Sequence, residues 1–158
     1  MSVRGDKAKE LFEQGYNCSQ SVLMAFSDIT GLDEKTSAML SSGFGGGMGR
    51  MREVCGAVSG MFMAAGTVCG YSDPKAHEDK KRTYEMIQQL AGEFKRRNGS
   101  IICKELLGLE KPEGTFVPEK RTEEYYKKRP CSELVKTSAE ILEEHLISAD
   151  EKMSIKSE

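Results

Sequence analysis

The chain contains no tryptophan, only two histidines and not one Cys-x-x-Cys pair. Two histidines are too few for a histidine-rich metal site, and without Cys-x-x-Cys there is no zinc-finger or thioredoxin-type motif. A Cys-x-x-Cys-His run for covalent haem is missing as well. A surplus of one charge is also lacking, since 23 basic against 25 acidic residues leave a net charge of −2. Phosphate recognition needs a basic excess on one face, so nucleic acid is not expected as a partner. No Ser/His/Asp arrangement and no pair of carboxylates stands out, so hydrolysis has no visible machinery. The start, MSVRGDKAKELFEQ, is charged where a signal peptide would be apolar, and the expected location is the cytoplasm.

What the sequence does have is five cysteines, at 18, 55, 69, 103 and 131, separated by 37, 14, 34 and 28 residues. In a reducing compartment scattered cysteines point to metal or redox chemistry more than to a disulfide framework. Any shared chemistry must then be assembled by the fold. Hydrophobic residues make up 38% of the 158, about sixty side chains, enough for the core of one domain. A single domain over 1–147 is expected, with a polar tail over 148–158 that frays.

The pattern is helical throughout. Leu11 and Phe12 mark a short helix over residues 6–14, stopped by Gly15. Val22, Leu23, Phe26 and Ile29 recur at spacings of three and four along a helix from Cys18 to Ile29. Asp33 caps a third, carrying Ala38, Met39 and Leu40. Five glycines between 43 and 49 cannot continue a helix. The uncharged stretch from Val54 to Ser72 holds four glycines, too many small and polar residues for a membrane span of ~20 apolar residues. It reads as a central helix, buried on most of its circumference, whose Gly56-x-x-x-Gly60 pair admits a close neighbour.

Asp73-Pro74 is an N-cap and first-turn pair that opens the longest helix, through Leu90 and Phe94 to the stop at Asn98-Gly99. Ser100 caps a short helix over residues 101–107. Residues 109–130 form a charged, proline-containing connection with room for one helical turn. Pro130 starts the last helix, through Leu134, Val135, Ala139, Ile141 and Leu142. The expected fold is an all-α, compact single-domain bundle of about six helices around the Gly-rich central one. An uncharged Gly-rich helix could also bury a face against a second copy, so a homodimer is compatible with the sequence.

On these helices Cys18, Cys55, Cys103 and Cys131 all fall at N-termini, where free amides and the positive end of the dipole stabilise a thiolate. Cys69 falls at the other end of the central helix, ~21 Å from Cys55. The division is four plus one. A bland alternative is that the cysteines are small buried hydrophobes. Gly45, Gly46 and Gly47 either let backbone approach the cysteines and offer amides to sulfur, or simply form a tight turn. A phosphate cradle is disfavoured, because a helix rather than a strand precedes the glycines and Met48, Arg50 and Met51 follow.

The stretch SGFGGGMGRMREVCGAVSG holds Cys-Gly-Ala-x-x-Gly, with GYNCSQSVL before it and GSIICKELLG and RPCSELV after it. Together these resemble the redox-active proteins of the C_GCAxxG_C_C family. The resemblance covers residues from about 8 to 145 and maps the family's four cysteines onto Cys18, Cys55, Cys103 and Cys131. It implies a small helical redox protein, with a similar domain in the split-Soret cytochromes that looks like an iron–sulfur module beside haem. The leading expectation is a [2Fe–2S] cluster on those four cysteines, with Gly45, Gly46, Gly47 and Gly56 beside it, serving electron transfer or redox sensing with an unspecified redox partner. A metal-free thiol–disulfide protein and a structural Zn(Cys)4 protein are the alternatives.

Overall fold

The computed structural model describes residues 2–156. Helix α1 (Val3–Glu13) is capped by Ser2, whose Oγ accepts from the Gly5 amide. Helix α2 (Cys18–Met24) begins with a reciprocal capping box, in which Asn17 accepts from the Gln20 amide and Gln20 accepts from the Asn17 amide. That pair satisfies two of the donors a helix start leaves free. Next come α3 (Ser27–Thr30), closed by left-handed Gly31, and α4 (Glu34–Ser41), capped by Asp33 through the Thr36 amide. The expected single helix over Cys18–Ile29 is therefore two. The Phe26 amide turns back to the Leu23 carbonyl, Phe26 leaves the helical region, and Ile29 ends up exposed.

After a 3-10 turn (Ser42–Phe44) and a glycine turn α5 (Gly45–Met48), α6 (Gly56–Cys69) runs through the centre. Gly56, Ala57, Val58, Ser59, Gly60, Met61, Ala64 and Ala65 are buried. It packs on α2, and also meets α7 (His77–Asn98) and α10 (Cys131–Lys156). A Cβ on Gly60 would stand 2.6 Å from the Ser19 carbonyl oxygen, so the Gly56/Gly60 pair is the face that seats α2. Among the described residues no helix is long and apolar enough to cross a membrane.

Helix α1 lies along α10, and Phe12, Leu23, Phe26, Met61, Leu90, Phe94, Val135 and Leu142 fill the space between the layers. Buried Ser138 donates to the Ala57 carbonyl at 2.7 Å and fixes α10 on α6. Two short helices complete the chain, α8 (Cys103–Leu106) and α9 (Glu123–Lys128), the latter capped by Thr122. The described residues contain no strand, only one antiparallel bridge between Val54 and Ile102.

Several expectations shift. Helix α4 buries Ser37 and Ser41 and turns Met39 and Leu40 outward, because small side chains let it lie close to α2, where Gln20 donates to the Ala38 carbonyl at 3.0 Å. Asp73-Pro74 forms a turn ahead of α7 instead of its cap: the Asp73 carboxylate accepts from the Lys75 amide, and the helix begins at His77. The longest helix is α10, at 26 residues against 22 for α7. Helix α10 extends through the first part of the expected tail to Lys156, and residues 157 and 158 of that tail lie outside the described residues. With neither Gly nor Pro from 148 to 156, nothing there stops the helix.

Candidate functional site

Three of the site cysteines open helices, and the fourth is a cap. Cys18, Cys103 and Cys131 are the first residues of α2, α8 and α10, and Cys55 is the N-cap of α6. The start of α8 lies later than the sequence suggests. Ser100 Oγ accepts from the Ile102 amide, and Ile102 becomes the N-cap.

All four cysteines line one cavity of about 70 Å³, walled further by Phe12, Gly46, Gly56, Arg52, Arg121 and Tyr125. Cys55 and Cys103 are buried, Cys18 and Cys131 half-buried, and all are free thiols. Cys69 ends α6, is exposed and has no part in the cavity. Among the described residues no three His, Cys, Asp or Glu side chains are grouped so as to hold a metal ion.

The glycine run positions these cysteines by reversing backbone hand. Gly46, Gly47, Met48, Gly49 and Arg50 all have left-handed φ, from 62° to 70°, and the Gly49 amide donates to the Gly45 carbonyl at 2.9 Å. The result is one turn of left-handed helix, which costs roughly 1–2 kcal/mol at each non-glycine residue and little at glycine. Arg52, at φ 61°, is left-handed too. The turn then hands its backbone to the site. Glu53 donates to the Gly47 carbonyl at 2.9 Å and accepts from the Cys103 amide at 2.6 Å, while the Cys55 amide donates to the Ile101 carbonyl at 2.8 Å.

A Cβ on Gly47 would stand 2.5 Å from the Cys103 Cβ, and one on Gly56 would stand 2.5 Å from Cys18 Sγ. Gly46 borders the cavity, and Gly45 packs against the Asn17 side chain, which caps the Cys18 helix. These glycines give the cysteines room. At Cys55 the Ala57 and Val58 amides, in the first turn of α6, pull the thiol pKa down against burial.

The expectation that helix starts lower the thiol pKa is overturned at three positions. Burial is the largest influence on Cys55, Cys103 and Cys131, and it raises all three. Cys131 is pushed up to about 12, with Cys18 and Cys103 adding repulsion and Arg129 and Arg121 opposing it. Desolvation of a charge in a closed site outweighs a helix terminus. Without a bound cation these thiols hold their protons at neutral pH.

Arginines stand beside the sulfurs, and sequence reasoning missed them. Arg52 Nη1 approaches Cys103 Sγ at 3.7 Å, and its Nε donates to Glu113 at 2.8 Å. Arg121 donates to the Phe12 and Tyr16 carbonyls at 3.0 and 3.1 Å, and its guanidinium lies 4.1 Å from the Phe12 ring centre. Arg129 acts on Cys103 and Cys131. The one available signal was position, since Arg52 and Arg129 precede site cysteines by three and two residues.

Residues 16–145 match the sequence model of a family described as "Putative redox-active protein (C_GCAxxG_C_C)". The chain belongs to this family. The C_GCAxxG_C_C match spans all five cysteines and the whole glycine turn. Comparison with curated proteins and with solved structures gives no match.

Proposed function

We propose that this redox-active protein holds a [2Fe–2S] cluster on Cys18, Cys55, Cys103 and Cys131 and uses it for electron transfer or redox sensing. The observation that carries the reading is the convergence of four thiols, from four distant segments, on one small cavity that excludes the fifth. Four thiolates are the ligand set such a cluster takes. When bound, it would supply one-electron chemistry that thiols alone do not.

The surroundings fit that group. Four thiolates around the doubly positive core of an oxidised cluster leave two negative charges, and the cavity wall carries two cations, Arg52 and Arg121. The hydrogen bond from Arg52 to the Cys103 sulfur would raise the potential. A cluster divides its cysteines between two irons, whereas zinc needs all four around one ion. Metal-free disulfide exchange needs an attacking thiolate, which burial at Cys55, Cys103 and Cys131 disfavours.

Anaerobic purification or reconstitution, followed by iron and sulfide analysis and an absorption spectrum, tests this. Iron and sulfide in stoichiometric amounts with visible charge-transfer bands are expected. Colourless protein without iron or sulfide would overturn it. In that case, stoichiometric zinc would identify a structural site, and a thiol count changing by two on reversible oxidation would identify a dithiol protein.

A further inference from the structure

Beside the cysteine cavity lies an open groove of about 280 Å³, lined by Arg50, Arg52, Arg121, Arg129, Phe116 and Cys131, among others. Three of these arginines have largely covered side chains, 13%, 8% and 18% exposed for Arg50, Arg52 and Arg129. Arg50 and Arg52 also occupy left-handed backbone, at φ 70° and 61°. Glycine would take those angles without strain. Retaining arginine at both costs backbone energy and places two guanidinium groups in one groove. Strained residues of this kind cluster at ligand sites.

Two carboxylates pair with these arginines, Glu119 from the groove's own lining and Glu113 from beside it. Glu113 bridges Arg50, at 2.9 Å, and Arg52, at 2.8 Å. Glu119 pairs with Arg129 and lies 3.5 Å from Arg50. Both belong to residues 110–120, which are exposed throughout and have no regular secondary structure. This strap buries no side chain of its own. Its polar hold on the body comes from these ion pairs and from Arg50 donating to the Val117 carbonyl. The carboxylate ends of these pairs stay within reach of water, so an incoming carboxylate can release them to solvent while keeping the covered arginines paired.

We infer that the groove is a binding site for a small dicarboxylate, with Glu113 and Glu119 as built-in competitors for its arginines. Arg50 and Arg129 recognise the two carboxylates, and displacement of the two glutamate side chains brings the molecule against Cys131. The inference deepens the redox reading by naming the class of molecule brought to the site. The binding itself does not depend on what the cysteines hold.

Calorimetric titration of the full chain with succinate, at constant ionic strength and with acetate as control, tests it. The E113Q/E119Q variant removes the competitors without touching the arginines, and should bind succinate about tenfold more tightly than the parent chain. Adding Arg50→Gln should abolish that gain, and Arg129→Gln should do the same if the Arg50 variant misfolds. Equal affinity in parent and E113Q/E119Q chains, an equal response to acetate, or a gain that survives both arginine substitutions would overturn it. Absence of iron and sulfide would sink the cluster reading while leaving these affinities unchanged.

Discussion

Arg52 joins Cys103 to Glu113: one guanidinium lies 3.7 Å from the sulfur and donates to the carboxylate at 2.8 Å. It is the largest influence lowering the Cys103 pKa against burial. In metal-free protein, Arg52→Gln should raise that pKa further and slow alkylation of Cys103 at fixed mildly alkaline pH by about tenfold. Peptide-resolved iodoacetamide kinetics reads this directly. An unchanged rate would mean that the contact does not act on the thiol.

Cys55 and Cys69 share helix α6, but only Cys55 reaches the cavity. Cys55→Ser should remove the visible absorption and the bound iron, whereas Cys69→Ser should leave both intact. In metal-free protein near neutral pH, exposed Cys69 should react with a bulky maleimide well ahead of buried Cys55 and Cys103. Equal loss of chromophore in both variants would collapse the four-plus-one division.

Gly56 and Gly66 offer a matched pair on the same helix. A Cβ at Gly56 meets Cys18 Sγ at 2.5 Å and the Phe44 carbonyl at 2.9 Å, whereas one at Gly66 meets nothing within 4 Å. Gly56→Ala should cost about 1–3 kcal/mol through overpacking. Gly66→Ala should be neutral or stabilising by up to ~1 kcal/mol, since alanine is the better helix former. Urea midpoints of the two variants decide it, and a Gly56→Ala protein as stable as the parent would refute the packing.

The four-plus-one division was legible because helix starts leave local marks: Asn17 before Cys18, Pro130 before Cys131, and the glycine run before Cys55. The central helix was legible from its lack of charge, and the seat for α2 from Gly56 and Gly60. The arginines were not, because Arg121 reaches Phe12 and Tyr16 across more than a hundred residues of chain. Likewise, Met39 and Leu40 carry a helical apolar pattern, yet the small Ser37 and Ser41 form the buried face of α4. Thiol pKa values depend on burial, which helix position alone does not reveal.

Metal-free protein should lose stability in alkali. The Cys131 thiol is raised to about 12 in the folded chain, against about 8.5 for an unfolded cysteine. The folded state holds this proton more tightly, so the contribution is complete below the unfolded value and is lost as pH climbs toward the folded one. Urea midpoints should fall from about pH 8 to about pH 11, and Cys131→Ser should flatten the slope. A midpoint independent of pH over that window would contradict the burial of this thiol.

The four cysteines enter the chain at positions 18, 55, 103 and 131, so the site is complete only once Cys131 has been synthesised. Contacts that distant in sequence form late in folding, because loop closure must precede them. A nascent chain carrying Cys18 and Cys55 alone offers half a ligand set. The fourth thiol therefore joins the cavity only once α10 has begun to emerge, and a chain truncated ahead of α10 carries three of the four.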